Sequence, residues 1–223
     1  MLLMSTFYNA LQQYTITDGS IVTYSKPLNV SKDESVEGSP LLFEDWRYGK
    51  VILKNHEQYD YVRLNFDATH NKFYFNQHDT SFELLSVVEE IRVKDISHST
   101  DSTYDMIFKN NINGGDVVKP ESFVQVLCNG KIVVFKQYTK RIEGDNFNNG
   151  IVKNVKKYVL HTNIFAIVNN QVIPVKLNSH FLEELTSDKK DQMKAFVKSK
   201  QLNVKKETDF KQALSYYNSI SSS

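Results

Sequence analysis

Gly38-Ser39-Pro40-Leu41-Leu42-Phe43-Glu44-Asp45-Trp46-Arg47-Tyr48-Gly49-Lys50-Val51 opens the stretch whose reading decides the fold, and residues 52–76 complete it. The stretch holds the only tryptophan, two glycines and a cluster of aromatic residues. Pro40 disfavours helical backbone at Ser39, so the opening is extended or turned. Gly49 is then expected to turn the chain into a strand over residues 50–55. In Tyr61-Val62-Arg63-Leu64-Asn65-Phe66 the apolar residues alternate with Arg63 and Asn65, the period-two pattern of a half-buried strand. Residues 67–71 make a turn, and Lys72-Phe73-Tyr74-Phe75-Asn76 returns with Phe73 and Phe75 on one face. Such residues fill and punctuate a β-rich core; they do not spell out a reaction.

Outward from this hairpin, residues 82–85, 87–93 and 104–108 read as further strands, and residues 25–37, 95–105 and 110–120 as loops. The strongest local cue is Asn129-Gly130 between apolar runs, because a two-residue turn needs positive φ at both positions. That turn predicts Val126 opposite Val133 and Val124 opposite Phe135, with Cys128 on the same face. Phe123, Leu127, Ile132 and Val134 occupy the other face, so the hairpin is expected to be buried on both sides. Asn169-Asn170 forms a similar turn, and Pro174 after it marks an edge strand, since proline cannot donate to a ladder. Two hairpins are too few to establish a repeat array.

The pattern becomes helical after Lys176. Phe181, Leu182 and Leu185 suit one short helix. Asp188 is expected to cap a second over residues 189–200, with Met193, Phe196 and Val197 on one side. Thr208 is expected to cap a third over residues 209–219, where Phe210, Ala213, Leu214 and Tyr217 follow i, i+3, i+4, i+7 spacing. Helices this short need a surface to dock on. The expected architecture is mainly β within the α+β class: an antiparallel sandwich, partial barrel or curved sheet over residues 14–175. A small C-terminal helical subdomain, residues 176–223, packs on it. Residues 1–13 read either as the remnant of a secretory signal without its basic start or as an N-terminal arm.

Composition narrows function by exclusion. The 223 residues are 40% hydrophobic and 24% charged, with net charge +1, so the chain folds and carries no global basic field for nucleic acid. No apolar run reaches the ~20 residues of a membrane-spanning helix. The single cysteine, Cys128, excludes an intramolecular disulfide and a cysteine-based zinc site and reads as inert core. There is no Gly-x-Ser-x-Gly, phosphate loop, dinucleotide glycine fingerprint or His-Glu-x-x-His, so no cofactor is implied. Asp67 and His70 stand at the opposite end of their hairpin from His78 and Asp79, too far apart to share a metal.

The remaining polar clusters read as surface. Glu44-Asp45, Glu89-Glu90 and Glu183-Glu184 are adjacent pairs, each taken as solvated. Lys136, Lys140, Arg141, Lys153, Lys156 and Lys157, interleaved with Tyr138 and Tyr158, read as outward strand residues and edge lysines that oppose aggregation; a patch for an anionic polymer or lipid headgroups is the alternative. Trp46, Tyr48, Tyr59 and Tyr61 form the candidate ligand surface, an aromatic platform for a glycan or peptide, against the plainer role of filling the seam between sheet and loop.

Gly-Ser-Pro-Leu-Leu-Phe-Glu-Asp-Trp with Gly49-Lys50-Val51, the Asn-Gly-Lys hairpin, Glu143-Gly144-Asp145 and Tyr216-Tyr217-Asn218 together resemble a group of uncharacterised exported proteins from Bacteroidetes-type bacteria. The resemblance implies export and carries no activity, cofactor or catalytic residue. The expectation is a non-catalytic cell-envelope or periplasmic binding or structural protein, its partner another envelope protein or a glycan. An enzyme with a dispersed site and a cytoplasmic protein-interaction domain are the alternatives.

Overall fold

The computed structural model describes residues 35–77, 80–84, 88–94, 106–144 and 156–221. Among the described residues eleven strands form one open sheet: β1 Val36–Glu37, β2 Arg47–Leu53, β3 Gln58–Asp67, β4 Lys72–Gln77, β5 Thr80–Glu83, β6 Val88–Val93, β7 Met106–Lys109, β8 Val124–Cys128, β9 Val133–Gly144, β10 Lys156–Val168 and β11 Gln171–Pro174. The order is β1-β10-β9-β8-β7-β6-β2-β3-β4-β5, with β11 also on β10. Two antiparallel meanders, β2–β5 and β6–β11, meet where β2 pairs with β6. The short β1 lies parallel to β10, where the sequence reads as loop, and makes the sheet mixed.

The sheet curls until strands far apart in its order touch. The Lys140 N–H of β9 donates to the Ala68 carbonyl just beyond β3 (3.0 Å). Residues 40–43 lie along the end of β3, where Leu42 N–H donates to Phe66 O (2.7 Å) and Ala68 N–H to Pro40 O (3.0 Å). The buried Asn65 side chain holds the Phe43 backbone through both its amide nitrogen and its oxygen. At the β3–β4 turn, Asn71 exchanges two hydrogen bonds with the Phe123 backbone (2.7 and 2.9 Å). Inside the curl Phe73 lies 4.8 Å from Phe66, 5.0 Å from Phe108 and 5.3 Å from Phe123, centroid to centroid. Each such pair contributes about 0.5–1.5 kcal/mol beyond area burial. Phe73 and Phe75 are both buried in this core.

Three helices form a second core on the far face of β8–β10: α1 Ser179–Leu185, α2 Lys190–Ser199 and α3 Glu207–Ser221, with a 3-10 turn, Ser187–Lys189, between the first two. Phe210, Ala213, Leu214 and Tyr217 of α3 are all buried there, against Ile132, Val134 and Ala166. Val124 and Phe135 point the other way, toward Val118, Phe165 and Ile167. The β8–β9 hairpin is thus covered on both sides.

Several expectations are corrected. Gly49 lies inside β2 rather than at a turn; a Cβ there would meet Arg92 O at 2.5 Å and Leu64 Cδ1 at 2.7 Å, so close packing requires the glycine. Val126 pairs with Phe135 and Cys128 with Val134, not Val126 with Val133 or Val124 with Phe135. A register shift between Val126 and Cys128 turns Cys128 toward the helices, away from Val124 and Phe135. Asp188 caps no helix: its carboxylate accepts from Lys131 Nζ (2.7 Å) and the Tyr217 hydroxyl (2.9 Å). Thr208 lies inside α3, which begins at Glu207. Glu90 is buried, because β7 brings Lys109 opposite it and Arg92 also reaches it. Burial would raise the Glu90 carboxyl, but those cations hold it below the usual range.

Candidate functional site

The outer face of β2–β3 carries the candidate aromatic surface. Tyr48 pairs with Arg63 and Gly49 with Val62, but Val51 pairs with Tyr59. One extra residue of β3 therefore bulges opposite Lys50. Tyr61 sits in that bulge at φ 59°, left-handed backbone for a bulky residue, a conformation that costs roughly 1–2 kcal/mol. Its side chain is thrown outward and 79% exposed, and Tyr48 is 53% exposed. The alternation of β2 sets the sides: Val51 is core, so Tyr48 and Lys50 face out. Lys50 Nζ pairs with Asp60 (3.2 Å), and Arg63 donates to Asn76 (3.3 Å). Two exposed rings are thus rimmed by polar groups that already have partners.

The other two candidates stand apart. Tyr59 packs at the margin of the aromatic core, and its hydroxyl donates to Glu57 (3.0 Å). Trp46 precedes β2 and is half-buried. The exposed pair is Tyr48 and Tyr61, and the bulge that exposes Tyr61 has no signal in Gln58-Tyr59-Asp60-Tyr61, because a bulge is a mismatch of count between two strands.

A second polar site lies at the β3–β4 turn. Asp67, 3% exposed, accepts from Thr69 N–H, His70 N–H and the Tyr74 hydroxyl and lies 2.8 Å from His70 Nδ1. Burial, then the charge of Asp67, pushes the Tyr74 hydroxyl up. The Lys140 ammonium donates to Ser39 O (3.0 Å) and Leu41 O (2.6 Å); burial lowers it against the pull of Asp67 and Glu44. His70 and Thr69 face a cleft of about 540 Å³ that also meets the Lys72–Glu83 ion pair, Asn110 and Gln137. Asn110 is buried; its amide nitrogen donates to Val88 O (2.9 Å) and its oxygen has no partner among the described residues. His78 and Asp79, set beside Asp67 and His70 in the sequence, lie outside the described residues. Among the described residues no group of three or more His, Cys, Asp and Glu is placed to hold a metal.

Cys128 is 6% exposed, and burial pushes its thiol up to about 11 against the charge of Lys211 and a hydrogen bond from Asn218. The basic run is absorbed by the fold only in part: Lys136 pairs with Glu207 (2.8 Å), and Lys140 is held by carbonyls. Arg141 and Lys156 are exposed, and Lys153 lies outside the described residues. No helix among the described residues is long and apolar enough to cross a membrane. No family model, curated protein or solved structure matches the chain.

Proposed function

We propose that this chain is a non-catalytic binding protein of the cell envelope, and that the outer face of β2–β3 at Tyr48 and Tyr61 takes a glycan. The observation that carries the reading is Tyr61: a bulky residue in left-handed backbone whose ring is left 79% exposed. Backbone strain of this kind persists where surrounding structure enforces it, and it clusters at ligand sites. An exposed tyrosine offers a sugar an apolar ring face and a hydroxyl at its rim. The reading is tested on a glycan array with the full chain. Wild type is expected to bind a saccharide. Tyr61→Ala and Tyr48→Ala are each expected to weaken binding about tenfold, a loss of ~1.4 kcal/mol. Tyr61→Gly, which relieves the positive φ, is expected to lose binding while keeping stability within about 1 kcal/mol of wild type. A wild-type chain that binds no saccharide would end the proposal. Recovery of the native protein in the cytoplasmic fraction would end the envelope part alone.

A dispersed-site enzyme is the second reading, favoured by the buried Asp67 beside an exposed His70 at the mouth of a polar cleft. An orienting carboxylate behind an imidazole is the arrangement general-base chemistry uses. Hydrolase activity on a panel of ester and glycoside substrates that disappears in His70→Gln would select this reading over the first.

A further inference from the structure

We propose that the pocket between α1 and α2 binds a small amphipathic anion, an aliphatic chain ending in a carboxylate. The pocket has a volume of about 430 Å³, inside the ~300–1,000 Å³ range of small-molecule sites. It exists because α1 is only seven residues long and the chain then bends away through the 3-10 turn. After α2 the chain reverses at Gln201, φ 52°, and brings Leu202 and Val204 back to the wall. Leu182, Met193 and Val204 supply buried apolar surface at 4%, 3% and 4% exposure, with Val197 half-buried beside them. Methionine, unbranched and polarizable, adapts to an alkyl chain.

The mouth is cationic. Lys194 and Lys198 stand four residues apart on the same face of α2 and both border the pocket. The bordering acid, Glu183, already pairs with Lys190 (3.2 Å) and Lys194 (3.4 Å). Lys198 makes no ion pair among the described residues. Two bordering lysines against one bordering carboxylate leave positive charge beside an apolar cavity. That surface complements an apolar chain with one negative head, repels an ammonium head and gives a neutral head no charge pairing. The pocket belongs to the helical core and is independent of the Tyr48–Tyr61 reading.

Calorimetric titration of the full chain with decanoate, decanol and decyltrimethylammonium, each below its micelle-forming concentration, tests the proposal. Decanoate is expected to bind one site about tenfold more tightly than decanol, with decyltrimethylammonium weakest. Lys198→Glu, an exposed change, is expected to erase the preference for the anion and leave decanol binding unchanged. Val197→Trp is expected to fill the cavity and abolish binding of both. Should Val197→Trp not fold, the Met193 methyl resonance of wild type is the second readout and is expected to shift with decanoate. Absence of decanoate binding, equal affinity for the three heads, or a Met193 methyl that does not respond overturns the proposal.

Discussion

The loop between β10 and β11 and the loop between β8 and β9 both place asparagine between apolar strands, and they close differently. Asn169 and Asn170 take φ 50° and 62°, and Val168 pairs directly with Gln171 across them. This is the two-residue turn that matches strand twist. At Asn129-Gly130 neither residue takes positive φ, and Cys128 pairs with Val134 instead. The reason is Asn218 of α3, whose buried amide enters the loop. It accepts from Ile132 N–H (2.9 Å) and donates to Ile132 O (2.8 Å). A Cβ on Gly130 would lie 2.6 Å from Asn218 Cγ. Both loops are exposed at their tips, and in the first the backbone's own preference wins. In the second, a side chain from 86 residues away supplies the hydrogen bonds the turn would have made, and the glycine serves close approach.

The largest expected effect breaks that plug. Asn218→Leu leaves the Ile132 N–H without its partner and Ile132 O with only the Cys128 thiol (3.6 Å), and is expected to cost about 3 kcal/mol in urea unfolding. A loss no greater than that of Asn170→Ala would remove the distinction between the loops. Gly130→Ala follows, at about 1–3 kcal/mol by the same measurement, from overpacking against Asn218. A neutral result would mean the loop gives way freely.

Alkali gives the third test. The Cys128 thiol ionises near 9.0 when free and about 11 in the fold, so the fold favours the neutral thiol. Its contribution is fully present below about pH 9 and is lost as pH rises toward about 11, an effect on the order of 2 kcal/mol. The stability difference between wild type and Cys128→Ala is expected to shift against wild type over that window; a constant difference would place the thiol in water. Smallest is Asn170→Ala, about 1 kcal/mol for a left-handed residue without asparagine's tolerance, with Asn170→Gly at or near wild type.

The candidate site was legible in kind but not in arrangement. Tyr48, Tyr59, Tyr61 and Trp46 are visible as aromatic residues near a strand start. Which of them reach solvent depends on the bulge in β3 and on Val51 facing the core. Glu90 shows the same limit: adjacency to Glu89 describes a solvated pair, while its burial depends on Lys109 arriving from β7. The pocket at α1 and α2 combines a legible lysine spacing with a gap that only helix placement creates.

The amino-acid sequence by itself determined the strand–helix division, the inward Phe73 and Phe75, the buried stripe of α3 and the Asn169-Asn170 turn. Each of these depends on side-chain periodicity or backbone preference within a few residues. The tertiary structure decided the strand order, the curl that joins β3 to β9, the β8–β9 register and the outward throw of Tyr61. Those depend on hydrogen bonds and contacts between segments distant in sequence, and a local pattern does not encode which distant partner arrives.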